Sequence, residues 1–296
     1  MPGWSEIMDS VQTKVQETAP AFLLEESKKY IKEISDITGR NVIVYYSGWL
    51  KSNVAEASIN ENDKNALMNA VCGLKDKDKG VDLILHTPGG DIAATEGIVN
   101  YLKSVFGNNV RAIVPQISMS AGTMIAMSCK EIIMGRQSSL GPIDPQMGGV
   151  ACQMVVDEFK RAVADVSANP ASLGLWQTII SQYRPTFLTA CEDAIKWSEE
   201  LAAKWLTEVN PGIDMGKVKD KFINHNNSYS HSRHISKEDC KAAGLPVKDL
   251  EESQKLQNAV LSLHHCYMIL IDTVSIVKIV MNQDGRVYLI NKNHRQ

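Results

Sequence analysis

The sequence predicts an α/β protein of repeated β-α-β units, with a mostly parallel sheet and a helical C-terminal extension. Two observations lead to this prediction. Between residues 41 and 134, short apolar stretches of strand length alternate with helical stretches. After about residue 150, long helical stretches follow one another instead. Alternating strands and helices are typical of a parallel sheet covered by helices.

The first half of the chain supplies the predicted sheet. Residues 5–36 have apolar positions at helical spacing, in two pieces divided near Pro20. The elements that follow are a strand over 41–46, a helix over 61–74, a strand over 81–85, a helix over 92–106, a strand over 110–114, a short helix from Ser120 and a strand over 131–134. We therefore expect the first 150 residues to hold the sheet.

The second half is predicted to be helical up to a C-terminal hairpin. The predicted helices cover 152–166, 171–183, 186–208, 213–224, 236–243 and 250–272, and the hairpin pairs 275–281 with 286–290 around Asp284-Gly285. No internal repeat or linker interrupts this order. The predicted organisation is a helical segment over 1–40, an α/β domain over 41–250, and a C-terminal helix and hairpin over 251–296.

Composition and charge exclude several classes of protein. The 296 residues carry 31 Lys and Arg against 34 Asp and Glu, so the basic excess of a nucleic-acid binder is absent. The first residues lack the pattern of a signal peptide. The longest apolar stretch, 266–280, is interrupted by Asp272 and Lys278 and is too short for a membrane span of ~20 residues. Six scattered cysteines without a C-x-x-C pair favour free thiols in a reducing compartment. We expect a cytoplasmic protein with no transmembrane segment and no nucleic-acid partner.

Two loops between a strand and a helix carry residues suited to catalysis. The first, HTPGGD at 86–91, contains paired glycines that let the backbone turn sharply and bring N–H groups close to a ligand. The second, QISMSAGT at 116–123, places Ser120 at the start of a helix. A serine there is a helix N-cap or a nucleophile, and the next N–H would be an oxyanion donor. Ala121 and Gly122 leave room for a substrate backbone.

Three motifs together resemble a known family. HTPGG at 86–90, MSAGT at 119–123 and SLGPIDPQ at 139–146 are similar to the serine dehydrogenase proteinase family. That family is a distant relative of the Clp protease proteolytic subunit and of signal peptide peptidase A, with the Clp/crotonase fold. The match covers about 81–147, with weaker similarity to about 247.

This resemblance implies a serine endopeptidase with a Ser-Asp-His triad that acts through an acyl-enzyme. The nucleophile maps onto Ser120 and the acid onto Asp144. The oxyanion donors map onto Gly89 or Gly90 and onto Ala121. Within the resemblance an alternative role for Asp144, which lies between two prolines, stays open: it would fix a turn through side-chain to backbone hydrogen bonds.

The base is expected in the polar stretch 229–235. In the family, a histidine precedes a short helix that ends in Gly-Leu, which here is 237–245. His231 is therefore the first candidate and His234 is the alternative. The two also have the spacing of metal ligands on a helix, but no third ligand or general-base glutamate follows them, so no metal is expected.

Three alternatives to the triad peptidase remain. In the first, a Ser/Lys dyad as in signal peptide peptidase A, Lys160 would be the base, although its neighbour Arg161 favours a solvated charge. In the second, the chain is a crotonase-like acyl-CoA enzyme, which needs no serine at the helix start. In the third, it is a non-catalytic scaffold with the same fold.

The triad needs no cofactor, so none is expected. The resemblance further implies a polypeptide substrate and a homo-oligomer, with apolar helix faces such as those of 186–208 or 250–272 buried between subunits. The need for an ATPase partner cannot be inferred from the sequence.

Overall fold

A computed structural model describes residues 7–8, 19–51 and 54–291. The first helical piece predicted near the N-terminus lies outside these residues except at 7–8. The helices of four or more residues are α1 (Ala19–Thr38), α2 (Asn62–Val71), α3 (Ile92–Phe106), α4 (Ala121–Met127), α5 (Cys152–Ala168), α6 (Leu173–Ile180), α7 (Phe187–Val209), α8 (Met215–Val218), α9 (His225–Ser228), α10 (Lys237–Ala242) and α11 (Gln254–Thr273). A π-helical turn, Lys219–Ile223, follows α8, and short 3₁₀ turns occur at Ala55–Ala57, Lys77–Lys79, Pro170–Ser172 and Leu250–Glu252.

The strands form one large sheet and two small ones. They are β1 (Asn41–Ser47), β2 (Val81–His86), β3 (Val110–Val114), β4 (Ile117–Ser118), β5 (Glu131–Met134), β6 (Ser139–Leu140), β7 (Gln146–Met147), β8 (Val150–Ala151), β9 (Ile235–Ser236), β10 (Val247–Asp249), β11 (Ile276–Asn282) and β12 (Val287–Asn291). The large sheet has the order β10-β5-β3-β2-β1-β11-β12. Its strands are parallel from β10 to β1, and β11 and β12 are antiparallel.

The predicted α/β fold with a mostly parallel sheet and a C-terminal helix is confirmed. Every residue of β1 and β2 is buried, as expected for parallel strands covered on both faces. One face packs on α3, α4 and α7. The other packs on α1 and α11, which also contact each other. None of the described helices is both long and apolar enough to cross a membrane.

The expectation that the first 150 residues hold the sheet is wrong in one respect. The C-terminal hairpin is not an appendage, because β11 pairs with β1 and extends the large sheet, and β10 pairs with β5 at the opposite edge. Lys278, read from the sequence as a charge that interrupts an apolar stretch, consequently lies in a buried strand. The predicted domain boundaries at residues 40 and 250 stay predictions.

Candidate active site

A small three-stranded sheet, β4-β6-β9, brings three distant segments together. Strand β4 pairs in parallel with β6, and β6 pairs antiparallel with β9. Ser120 follows β4, Asp144 follows β6 and His231 precedes β9. The three segments that carry the predicted nucleophile, acid and base therefore meet at one end of the large sheet.

Ser120 has an unusual backbone conformation. Its φ of 50° and ψ of −120° lie in a region that residues with a side chain rarely adopt, at a cost of ~1–3 kcal/mol. The turn is held by the Gly122 N–H, which donates to the Met119 carbonyl at 2.7 Å. Although Ser120 occupies the N-cap position of α4, its side chain makes no capping hydrogen bond. The serine hydroxyl is thus not used to stabilise the helix.

The loop 86–91 lies directly against this turn. The Thr87 N–H donates to the Ile117 carbonyl at 3.2 Å, and the Met119 N–H donates to the Thr87 carbonyl at 2.9 Å. Gly89 has a φ of 93°, and a Cβ there would lie only 2.6 Å from the Ser120 Cβ. Because a side chain at this position would collide with the serine, the close approach of the two loops requires glycine.

Near Ser120, two backbone N–H groups have no acceptor among the residues that the structure describes. The Gly89 N–H donates to the Thr87 hydroxyl at 3.2 Å. In the described part of the chain, neither the Gly90 nor the Ala121 N–H has a protein acceptor. Gly90 and Ala121 therefore have amides available for an external acceptor, whereas the Gly89 amide is occupied.

The Asp144 carboxylate is almost completely buried, at 1% exposure, and accepts three hydrogen bonds. His231 Nδ1 lies 2.8 Å from Oδ1, and His225 Nδ1 lies 2.7 Å from Oδ2. The Gln146 amide also donates to Oδ2 at 2.8 Å. An ionised carboxylate only accepts, so each imidazole carries its proton on Nδ1 and, when neutral, has an unprotonated Nε2.

Sequence reasoning missed His225. It is buried and begins α9, a short helix capped by the Asn224 side chain, which accepts from the Asn226 N–H at 3.1 Å. Its separation from Asp144 is 81 residues, and nothing in the local pattern indicates that contact. The available signal was modest: a histidine two residues after the apolar pair Phe222-Ile223, which the core buries.

Ser120 and His231 line one cavity of about 430 Å³. Its wall is made of the loops 86–91 and 116–123, the segment after β6 and one face of α7, and apolar side chains form much of it. The lining includes Ile92, Met124, Ile143, Met147, Ala194 and Ser198. A cavity of this size, lined mainly by apolar side chains together with a few polar groups, is typical of a ligand-binding site.

The two alternative bases lie elsewhere. His234 Nδ1 is 2.7 Å from the Ser139 hydroxyl, and its side chain is not part of the cavity wall. Lys160 is on the exposed face of α5, with 72% of its side chain accessible, and pairs with Asp157 at 4.0 Å. The structure therefore brings His231 to the cavity that Ser120 lines. It does not bring His234 or Lys160 there.

A metal site was not expected from the sequence. The described residues contain no group of three or more His, Cys, Asp or Glu side chains suited to holding a metal ion.

Comparison with known proteins identifies related sequences. A family model described as ClpP-like SDH-type serine proteinase matches residues 56–248. The uncharacterized protein MJ0137 of Methanocaldococcus jannaschii is 32% identical over 171 residues, which are 58% of this chain and 54% of that protein. The uncharacterized protein MJ1495 of the same organism is 35% identical over 105 residues, which are 36% of this chain and 35% of that protein. The matched segments thus span about half and about a third of these two relatives.

Proposed function

The chain belongs to the ClpP-like SDH-type serine proteinase family, and we propose that it is a serine endopeptidase that cleaves polypeptides through an acyl-enzyme. The observation that carries the proposal is the state of Ser120. It has a strained backbone, a hydroxyl that does not cap its helix, a free amide on the next residue, and a place on the same cavity as a carboxylate-bound imidazole.

In the proposed reaction, His231 Nε2 takes the proton of the Ser120 hydroxyl while the oxygen attacks the scissile carbonyl. The resulting imidazolium is stabilised by Asp144, which also holds the ring in the tautomer that leaves Nε2 free to accept. The imidazolium then gives its proton to the leaving amine. Water then attacks the carbonyl of the acyl-enzyme in the same way, with His231 again as the base, and Ser120 is released.

The oxyanion of the tetrahedral intermediate would accept from the N–H groups of Gly90 and Ala121. Gly90 is preferred over Gly89 in this role because the Gly89 amide already donates to Thr87. Donors that are fixed before the reaction stabilise the developing charge without reorganisation, and the loss of one such donor costs ~10²–10³ in kcat.

The histidine-based triad is better supported than a Ser/Lys dyad. A lysine base must be close to the serine and buried enough to lose its proton readily. Lys160 is exposed and ion-paired, and no lysine of the described chain lines the Ser120 cavity.

Labelling with a fluorophosphonate probe tests this proposal. We expect the native protein to be labelled and Ser120→Ala to remain unlabelled, because the probe reacts with an activated serine hydroxyl. Ser128→Ala is the matched control: it removes a hydroxyl from the opposite end of α4, where Ser128 donates to the Ile125 carbonyl at 2.7 Å. Labelling of Ser120→Ala at the native rate would refute the assignment of the nucleophile.

A further inference from the structure

A fully buried ion pair lies near the loop 86–91, which carries Gly90 and is called the oxyanion loop below. Lys278 on β11 and Asp63 on α2 are both 0% exposed, and the ammonium lies 2.7 and 2.8 Å from the two carboxylate oxygens. The Tyr45 hydroxyl donates to Asp63 Oδ2 at 2.7 Å. Burial lowers the pKa of Lys278, and Asp63 opposes that shift. Two apolar side chains of similar volume would often be no less stable than such a pair, so its presence calls for a reason beyond stability.

The pair fixes the backbone on both sides of Ile59. The Lys278 ammonium also donates to the Ser58 carbonyl at 3.0 Å. The Asp63 carboxylate accepts from the Asn60 N–H at 2.9 Å. Each member of the ion pair therefore holds one neighbour of Ile59, and the positions of the two charges determine where Ile59 lies.

Ile59 in turn holds the oxyanion loop on both sides of Gly90. Its N–H donates to the Gly89 carbonyl at 2.8 Å, and its carbonyl accepts from the Asp91 N–H at 2.9 Å. The contact is close, since a Cβ at Gly90 would lie 2.3 Å from the Ile59 nitrogen. Ile59 thus fixes the peptide units before and after Gly90, while the Gly90 N–H itself remains free.

We propose that the Lys278–Asp63 ion pair is a positioning device that sets the direction of the Gly90 N–H through Ser58, Ile59 and Asn60. The proposal rests on the proposed function, in which that N–H is an oxyanion donor. Neither charged residue touches the substrate, so both are positioning residues. Lys278 lies beyond the 56–248 family match, and the C-terminal hairpin therefore contributes to the site of this chain.

Lys278→Gln tests the proposal, with Arg111→Met as the matched control. Arg111 pairs with Asp82, another fully buried carboxylate, at 2.7 Å, but at the start of the parallel strands, away from the cavity. Its replacement weakens a buried ion pair without reaching the oxyanion loop. If Lys278→Gln does not fold, Asp63→Asn combined with Lys278→Met leaves no buried charge and still removes the donor to the Ser58 carbonyl.

Kinetics on a peptide substrate give the first readout. We expect Lys278→Gln to lower kcat by about 10- to 100-fold with KM nearly unchanged, because a displaced oxyanion donor affects the transition state alone. Affinity for a peptide boronate, which forms a tetrahedral adduct with the serine, should fall by a similar factor. Arg111→Met should keep the native kcat and the native boronate affinity, even if its Tm decreases as much as that of Lys278→Gln. A folded Lys278→Gln with native kcat and native boronate affinity would overturn the proposal.

Amide hydrogen exchange gives a readout that does not depend on activity. The N–H groups of Ile59 and Asp91 should exchange faster in Lys278→Gln than in the native protein, and should be unaffected in Arg111→Met. Unchanged exchange at both amides would refute the positioning role by itself. A native protein whose labelling does not depend on Ser120 would instead refute the proposed function, so the two failures can be distinguished.

Discussion

Two buried carboxylates, Asp144 and Asp63, are connected by hydrogen bonds to different parts of the candidate site, and they differ in the groups bonded to them. Asp144 accepts from two imidazoles, one of which reaches the cavity with 30% of its side chain exposed. Asp63 accepts from an ammonium and a tyrosine hydroxyl that are sealed inside the protein. The first carboxylate is bonded to two imidazoles, one of them on the cavity wall, and the second to an ammonium and a phenol inside the protein.

The difference separates two tasks that a peptidase site must perform. A proton carrier has to change its charge during each turnover, so its partner must stabilise both charge states and remain close to solvent. An oxyanion donor has to stay in one place, and a permanent ion pair with several hydrogen bonds is suited to that. Variants at the two carboxylates should therefore fail in different ways.

The largest effect on kcat is expected for Asp144→Asn. Among the described residues, the Oδ2 side of Asp144 receives two donors and the Oδ1 side receives one, His231. The asparagine amide should therefore keep its oxygen toward His225 and Gln146 and turn its NH₂ toward His231. That turn forces the proton of His231 onto Nε2, which can then no longer accept from Ser120.

We expect this tautomer change to lower kcat about 10⁴-fold with little change in Tm, by analogy with Ser-His-Asp enzymes in general. Steady-state kinetics and thermal unfolding on the same preparation measure both. Asp144→Asn with more than a tenth of the native kcat would contradict the role given to this carboxylate.

The parallel part of the sheet could be predicted from the sequence, whereas the side-chain contacts that position the site could not. Helix α3 and strands β3 and β5 have the predicted bounds because buried strands and amphipathic helices are encoded in the local apolar pattern. Ser120, Asp144 and His231 were predicted from motifs that resemble those of a known family. The contacts of His225 with Asp144 and of Lys278 with Asp63 span 81 and 215 residues, and local patterns do not record pairing over such distances.

His225→Leu is expected to have a smaller effect than Asp144→Asn. It removes one donor from the carboxylate and leaves the bond to His231 in place. Gln146 would still donate to Oδ2, but the carboxylate would be held less firmly, and a misplaced imidazole lowers kcat by ~10- to 100-fold. His225→Asn is the matched control, because its side-chain amide N–H occupies nearly the position of Nδ1 and should recover most of the kcat. Equal losses in the leucine and asparagine variants would show that ring packing, not the hydrogen bond, is what matters.

The smallest expected effect is on the free energy of unfolding, and it comes from two histidines, His86 and His264, whose hydrogen bonds within the described part of the chain are to neutral groups. His86 accepts or donates only to neutral groups, the Ser47 carbonyl and the Gln116 side chain, and His264 bonds the Tyr46 hydroxyl at 2.5 Å. Burial lowers the pKa of His86 to about 4 and that of His264 to about 3. The fold therefore favours the neutral forms of His86 and His264, whereas His225 and His231 are bonded to the Asp144 carboxylate.

Because the pKa values of these two histidines in the folded protein lie below the unfolded value of ~6.5, the unfolded chain binds more protons than the folded chain at a pH between them. Their contribution to stability is complete above that pH and is lost as the pH falls toward 4. Each histidine should lower the free energy of unfolding by about 1.4 kcal/mol per pH unit once the pH is well below 6.5. Urea unfolding between pH 7 and pH 5 measures this slope, and His264→Gln, which keeps an acceptor for Tyr46, should reduce it by one histidine's share. An unchanged slope in that variant would mean that His264 is protonated in the folded protein, and the contrast between paired and unpaired histidines would not hold.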